Sequence, residues 1–152
     1  RAMPGFRSVR HVPTVQHEHV WQEYAVCDAG VVCLMPVERY KVSLPVKLFE
    51  FMAAGLPVIA SDFPLFREIV DGSECGICVD PTNPEAIAAA VRRLEGDPTE
   101  ARLMGERGIA AVRDRFNWRL EGAELVKLYQ RIGRMGRMEH LGRMGQMAES
   151  GR

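Results

Sequence analysis

The sequence predicts an α/β fold, with a doubly wound parallel sheet followed by a helical C-terminal region. Two observations carry this prediction. Short apolar runs alternate with segments of helical spacing up to residue 81, and the connections between them are short. That alternation is typical of strands that lie parallel in one sheet with helices packed on its faces. After residue 81 only helical patterns remain.

The first 42 residues contain two predicted strands and one predicted helix. Residues 9–12, Val-Arg-His-Val, are predicted to form a short strand that ends at Pro13. Residues 17–27 place apolar side chains at helical spacing. Residues 31–35 are apolar without interruption, which predicts a strand covered on both faces. Residues 36–42 then form a polar loop.

The most informative segment follows this loop. We expect a helix over residues 45–54, with Ser43 as its N-cap and Pro45 in the first turn, where a missing N–H is tolerated. Gly55 ends this helix as a C′ glycine, and residues 57–60 form the next buried strand.

The rest of the chain is predicted to be mainly helical. Further helices are expected over residues 64–70 and 84–95, in a stretch ending at Val112, and over residues 118–132, with an interior strand at 76–79.

Residues 1–132 are therefore predicted to form one domain, and residues 133–152 a separate tail. The tail repeats the tripeptide Gly-Arg-Met, and its glycines disfavour a stable helix. We expect a flexible or weakly helical extension. The alternative is a basic, Met-rich arm that contacts a partner or an anionic surface.

Composition and charge exclude several classes of function. Twenty Lys and Arg residues balance twenty Asp and Glu residues, so no net field attracts nucleic acid. The apolar runs are much shorter than a membrane span, which predicts a cytoplasmic protein. The beginning Arg1-Ala2-Met3 has no initiator character, so we expect a piece of a longer protein. Residues outside this piece could still contact the inner face of the cell membrane.

The cysteines and histidines do not predict a metal site. Cys75 and Cys78 form a CxxC, but they lie on a predicted strand, where residues three apart point to opposite faces. We interpret the cysteines as small buried hydrophobic residues. His17 and His19, two residues apart, do not share a helix face.

Two loops are expected at the carboxyl edge of the sheet, where ligands bind in open α/β folds: residues 36–44 and 61–65. The first leads into the helix at 45–54. Free N–H groups of Ser43, Leu44 and Val46 could receive phosphate oxygens there, and the helix dipole favours an anion.

Lys47 and Glu50 lie one turn apart on the same helix. A lysine near a helix N-terminus opposes the dipole unless an anion binds there, which favours an anion site; the alternative is a solvated surface lysine. Glu50 could accept two hydrogen bonds from the vicinal diol of a ribose, or form an ion pair with Lys47. Spacing alone leaves both interpretations of Glu50 open.

Residues 45–61 closely resemble the signature P-x-K-x-x-E-[FY]-M-A-A-G-x-P-V-I-A-S of the retaining glycosyltransferases of family 4, the glycosyl transferases group 1. The similarity extends over roughly residues 8–132. The further matching passages are Y-x-x-C-D-x-x-V from Tyr24, F-R-E-I-V-D-G from Phe66, V-D-P from Val79 and F-N-W from Phe116. An ordered series of motifs is far more specific than any one of them.

The resemblance implies the Rossmann-like, C-terminal donor-binding half of a GT-B fold, with the N-terminal acceptor domain missing. It implies a hexosyltransferase-type enzyme of polysaccharide biosynthesis, which takes a sugar from a nucleotide-diphosphate sugar to a glycan or lipid-linked acceptor. The resemblance also implies that the sugar is transferred with retention of configuration and that the enzyme needs no metal or other cofactor. By position, Glu50 would hold the ribose and the Ser43–Leu44 backbone would meet the diphosphate. We expect this piece alone to be inactive.

One departure concerns the donor sugar. Many members of the family have a second glutamate eight residues before the ribose glutamate, where this chain has Val42. Glu38, Arg39 or Lys41 could supply part of that contact. A non-catalytic nucleotide-sugar binding module is the alternative function. A nucleotide-sugar epimerase lacks support because its signatures are not seen, and a dinucleotide oxidoreductase because no G-x-G-x-x-G follows a strand.

Overall fold

The computed structural model describes residue 5 and residues 8–149, with side chains as far as residue 133. In this part of the chain, three strands alternate with helices, and helices alone follow. In chain order the elements are α1 His17–Tyr24, β1 Gly30–Val32, α2 Glu38–Lys41, α3 Val46–Ala53, β2 Val58–Ser61, α4 Pro64–Val70, β3 Gly76–Val79, α5 Pro84–Gly96, α6 Pro98–Asp114 and α7 Trp118–Glu149.

The three strands form one parallel sheet in the order β1-β2-β3. Val58 is paired with Gly30 on one side and with Gly76 on the other. The carboxyl ends of all three strands therefore meet at one edge, which we call the carboxyl edge. The sequence prediction of a parallel α/β sheet is confirmed.

Helices cover both faces of this sheet. Ile59 packs in a core cluster with Leu94 of α5 and Met104 of α6. Gly30 belongs to the opposite face by strand alternation, and a Cβ on it would meet the ring of Phe51 in α3 at 2.3 Å. Only a glycine lets α3 approach β1 this closely.

The end of α3 confirms the predicted C′ glycine. Gly55 has a φ of 76°, and its N–H donates to the Met52 carbonyl at 3.1 Å. The Leu56 N–H donates to the Phe51 carbonyl at 3.0 Å. These two bonds form a Schellman motif, which turns the chain directly into β2.

Two strand predictions are wrong. Residues 9–12 are not a strand, and Val9 is 57% exposed. Among the residues described, no strand pairs with this segment to satisfy its backbone groups, so its two valines do not suffice to form a strand. The strand expected at 31–35 is confined to Gly30–Val32, and Val31 is 45% exposed rather than covered.

The chain divides into two compact units, Arg1–Ala111 and Val112–Arg152. In the second unit, the backbone of α7 is helical to Glu149, through most of the tail predicted to be flexible or weakly helical. The Met, Arg, Leu and Glu residues between the glycines are good helix formers, which explains a continuous helix despite about 1 kcal/mol per glycine. The domain boundary at residue 132 and the proposed Met-rich arm stay predictions, because side chains beyond residue 133 lie outside the described part.

Among the described residues, the length and apolar character that a bilayer-crossing helix needs are not found together in any helix.

Candidate functional site

A buried hydroxyl holds the start of the loop that follows β1. Ser61 is completely buried, and its Oγ accepts a hydrogen bond from the Leu34 N–H at 2.7 Å. The same hydroxyl lies 2.9 Å from the Leu34 carbonyl, to which it can donate. These contacts extend the β1–β2 pairing beyond Val32. Ser61 therefore belongs to β2, and its hydroxyl fixes the start of the loop after β1. The sequence analysis had predicted Ser61 to lie in a ligand-binding loop.

The predicted polar loop over residues 36–42 contains the one-turn helix α2. Lys41 Nζ lies 2.6 Å from Glu38 Oε1, and the Arg39 guanidinium stacks over the Tyr40 ring at 4.8 Å. The contacts described for Glu38, Arg39 and Lys41 stay within α2. Glu38 and Lys41 therefore pair with each other and Arg39 contacts Tyr40, and the predicted role of all three toward a ligand stays a prediction. Val42 ends α2 and is 78% exposed.

The first turn of α3 has no capping side chain. Pro45 occupies the N-cap position with an extended backbone, and α3 begins at Val46. The prediction of Ser43 as N-cap is wrong. Its N–H and Oγ both contact the Tyr40 carbonyl, at 3.4 and 3.3 Å, so Ser43 closes the turn after α2 instead of capping α3.

Free N–H groups nevertheless remain at this end of α3. Within the described backbone, the N–H groups of Leu44, Val46 and Lys47 have no hydrogen-bond partner, whereas Leu48 donates to the Pro45 carbonyl at 3.0 Å. The first turn also contains no acidic residue. Since unpaired N–H groups concentrate the positive end of the helix dipole, this terminus can bind an anion.

The Lys47 ammonium lies at the same end. The chain has three lysines, and the other two form ion pairs with Glu38 and Glu124. Lys47 is exposed and forms no ion pair within the described residues. Burial raises the pKa of the Cys33 thiol, and the nearby Lys47 charge opposes that rise. Lys47 is therefore an unpaired cation close to the carboxyl end of β1.

Glu50 lies on the side of α3 that faces away from the sheet. Leu48 and Met52 are fully buried, and Glu50 is two residues from each, about half a turn around the helix. It is nevertheless half-buried, because Tyr24 of α1 donates its hydroxyl proton to Glu50 Oε2 at 2.9 Å. Among the described side chains, Lys47 and Glu50 do not form an ion pair. The alternative interpretation of Glu50 as the ion-pair partner of Lys47 is therefore wrong.

Tyr24 makes a contact with Glu50 that the sequence did not predict. Its ring meets those of Phe51 and Trp21 edge-on, with centroids 5.0 and 5.8 Å away. Burial first, and then the hydrogen bond and charge of Glu50, raise the pKa of Tyr24 to about 12. Tyr24 entered the sequence analysis only as a letter of a family motif. No local spacing links it to Glu50, 26 residues further along.

The four cysteines are free thiols. Cys75 is buried, as predicted, whereas Cys27 is exposed and contradicts the prediction. Burial is the main cause that raises the pKa of Cys75 to about 11 and that of Cys78 to about 12, so both stay protonated and unreactive near neutral pH. Across the residues described, no three His, Cys, Asp or Glu side chains are grouped as metal ligands.

A large groove in the described part lies elsewhere. It measures about 780 Å³ and is lined by mostly apolar residues, including Ala29, Val31, Leu56, Pro57, Val91 and Leu94. Ala29 and Pro57 directly precede β1 and β2, so this amino-edge groove lies at the end of the sheet opposite to the start of α3. Its place and chemistry do not suit a diphosphate, and we assign the candidate site to the carboxyl edge instead.

Comparison with known proteins defines the family. Residues 7–111 match the family model described as glycosyl transferases group 1. Because this match covers more than half of the chain, the chain belongs to that family. The resemblance found in the sequence is thus confirmed.

Individual relatives agree with this assignment. The chain is 34% identical over 95 residues to a phosphatidyl-myo-inositol mannosyltransferase of Mycobacterium leprae, a match covering 62% of this chain and 25% of the relative. It is 32% identical over 108 residues to an MMP alpha-(1->4)-mannosyltransferase of Mycolicibacterium hassiacum, covering 70% of this chain and 25% of the relative.

A solved structure supports the fold. Sucrose-phosphate synthase from Thermosynechococcus elongatus superposes with a TM-score of 0.73 and 30% identity, covering 82% of this chain and 30% of that one. The chain therefore spans between a quarter and a third of the length of these proteins. These comparisons establish the family and the α/β fold of the chain. They do not establish the activity of a longer protein that contains it.

Proposed function

We propose that this chain is the donor-binding part of a retaining glycosyltransferase, which transfers a sugar from a nucleotide-diphosphate sugar to a glycan or lipid-linked acceptor. One observation carries the proposal: a half-buried carboxylate, Glu50, lies one turn beyond an uncapped helix start that also carries an unpaired lysine.

The start of α3 suits the diphosphate. The N–H groups of Leu44, Val46 and Lys47 can donate to phosphate oxygens, and the Lys47 ammonium can compensate the charge. When the glycosidic bond breaks, negative charge accumulates on the departing diphosphate. Donors already oriented toward that charge stabilise the transition state more than the ground state. No metal ion is required by this arrangement.

Glu50 suits the ribose of the same nucleotide. It lies four residues after Val46, about 6 Å along the helix axis at 1.5 Å per residue. This is the scale of the separation between a nucleotide's ribose and its pyrophosphate. A carboxylate can accept hydrogen bonds from both hydroxyls of the diol. One ligand can therefore satisfy the helix start and Glu50 together.

The names of the relatives indicate which donor to test first. Several are mannosyltransferases, and one, from Mycolicibacterium smegmatis, is described as GDP-mannose-dependent. We therefore propose a mannosyl donor with GDP as the nucleotide, and a lipid-linked or glycan acceptor. A protein of this kind would work at the cytoplasmic face of the membrane, and an N-terminal acceptor domain would complete it.

Binding of nucleoside diphosphates tests the site directly. Calorimetry on this chain with GDP, UDP and ADP should detect weak binding of at least one of them. Glu50→Ala should weaken that binding by about 10- to 100-fold, the equivalent of a hydrogen bond to a charged group. Glu95→Ala is the matched control, because Glu95 lies on α5 beside the amino-edge groove and should leave the affinity unchanged. Equal affinity of Glu50→Ala and the parent chain would exclude the ribose role.

Val42 favours a second candidate, a non-catalytic nucleotide-sugar binding module. An exposed valine occupies the position where the resemblance predicts a sugar-contacting glutamate in many members. The two candidates differ in turnover. A longer protein containing this chain should transfer mannose from GDP-mannose if the enzyme proposal is right, and should only bind the donor if the module proposal is right.

A further inference from the structure

We infer that Tyr24 is a positioning residue for Glu50, which holds one carboxylate oxygen so that the other faces the ribose of a bound nucleotide. This inference rests on the proposed function, and it adds to it a residue from a different helix, 26 positions earlier in the chain.

The first reason is the direction in which Glu50 points. Its position between Leu48 and Met52 turns it away from the sheet, so α3 alone would leave a flexible carboxylate in solvent. A free glutamate samples many rotamers and loses that freedom when a ligand binds. The contact with Tyr24 restricts the side chain before any ligand arrives.

The second reason is the way the two carboxylate oxygens are used. Oε2 accepts the Tyr24 proton at 2.9 Å, and Oε1 has no hydrogen-bond partner within the described residues. Since the pKa of Tyr24 is raised to about 12, the phenol keeps its proton throughout the neutral range and donates at every working pH. One oxygen is thereby fixed, and the other remains available to a diol.

The third reason is that Tyr24 is itself held in place. Its ring contacts Phe51 edge-on, and Phe51 packs against the surface left open by Gly30. Trp21 also contacts the ring edge-on. The phenol is thus anchored to β1 through Phe51, although α1 buries no residue completely. A donor anchored to the sheet can hold Glu50 in one orientation, as a binding site requires.

Tyr24→Phe tests this role, because it keeps the ring and removes only the hydroxyl. The probes are GDP and 2′,3′-dideoxy-GDP, which lacks both hydroxyls, with the UDP or ADP series if that nucleotide binds more tightly. We expect the preference for the ribose form over the dideoxy form to fall about three- to tenfold in Tyr24→Phe, as preorganisation is lost. Affinity for the dideoxy form should stay the same. Tyr129→Phe, an exposed tyrosine on α7, is the matched control and should change neither.

Other variants separate positioning from simple support of α1. In a Glu50→Ala background, adding Tyr24→Phe should change the ribose preference no further, because the two residues act through one contact. Glu50→Gln should also let the Tyr24 phenol ionise at lower pH, measured by ultraviolet absorbance in a Tyr40→Phe, Tyr129→Phe background. This second measurement needs no nucleotide.

The outcomes distinguish the inference from the function on which it rests. If Glu50→Ala removes the ribose preference and Tyr24→Phe preserves it, the positioning role is overturned and the donor site stands. If Tyr24→Phe weakens the binding of the ribose and dideoxy forms equally, Tyr24 only supports the structure, and the positioning role is also overturned. If the parent chain itself shows no ribose preference, the ribose assignment and the positioning role fall together.

Discussion

The helices α3 and α5 both begin near the carboxyl edge of the sheet, yet their first turns are built differently. Asn83 caps α5, and its side chain accepts hydrogen bonds from the N–H groups of Glu85 and Ala86 at 3.1 and 3.2 Å. Glu85 adds a negative charge beside the dipole. The first turn of α3 has no capping side chain and no acid, and it carries Lys47 instead.

The difference teaches which helix start is available to a ligand. At the start of α5 the Asn83 side chain already accepts hydrogen bonds from the free N–H groups. The cap stabilises α5, and it leaves fewer N–H groups to bind an anion. The α3 terminus leaves its N–H groups unpaired and adds a cation, an arrangement that is slightly unfavourable until an anion binds. Three predictions test this contrast.

The largest effect is expected from giving α3 the cap that α5 has. In Pro45→Asp, a carboxylate at the N-cap should occupy the free N–H groups and repel a diphosphate. GDP affinity should fall by about 10- to 100-fold, the range for hydrogen bonds to charged groups, as measured by calorimetry. Pro45→Ser places a neutral cap at the same position and separates capping from charge. Undiminished GDP binding by Pro45→Asp would mean that the diphosphate does not bind at this helix start.

An intermediate effect, on stability alone, is expected at α5. Asn83→Ala removes the cap and should lower the free energy of unfolding by about 1 kcal/mol, as measured by urea denaturation. GDP affinity should not change. Asn83→Asp retains a capping side chain and serves as the control. A loss of GDP binding in Asn83→Ala would contradict the division of roles between the two helices.

The smallest effect is expected for the lysine. Lys47→Ala should weaken GDP binding by about two- to fivefold at low salt, because an exposed charge near a helix terminus contributes about 0.3–1 kcal/mol. The difference between variant and parent should shrink as salt rises and screens the interaction. Lys127→Ala, which removes a lysine already paired with Glu124, is the control. A salt-independent loss would indicate that Lys47 acts through packing.

The bounds of strands and helices were predicted correctly where the local sequence pattern was strong. The strand Gly76–Val79 and the helix Pro64–Val70 have their predicted bounds, because apolar spacing and flanking breakers define them locally. The strand expected at 9–12 failed because a strand needs a partner, which a local pattern does not supply. Ser43 is not the N-cap because α3 begins at Val46, which places Pro45 at the N-cap position, and the Ser43 hydroxyl donates to the Tyr40 carbonyl.

The candidate site was predictable in part. Lys47 and Glu50 were identified from the helix that carries them and from the family resemblance, and the binding roles assigned to them stay predictions. Cavity volume would instead have pointed to the amino-edge groove, at about 780 Å³. There the chemistry is apolar, which is why charge and hydrogen-bonding capacity identify the candidate site better than volume does.

The sequence by itself determined the parallel α/β pattern, the C′ role of Gly55 and the family, since each depends on residues close together in the chain. Only the tertiary structure decided that Tyr24 meets Glu50 and that Ser61 holds Leu34, pairs separated by 26 and 27 residues. The physical reason is that a hydrogen bond between two elements depends on how they pack across the sheet, and local propensity contains no information about that distance.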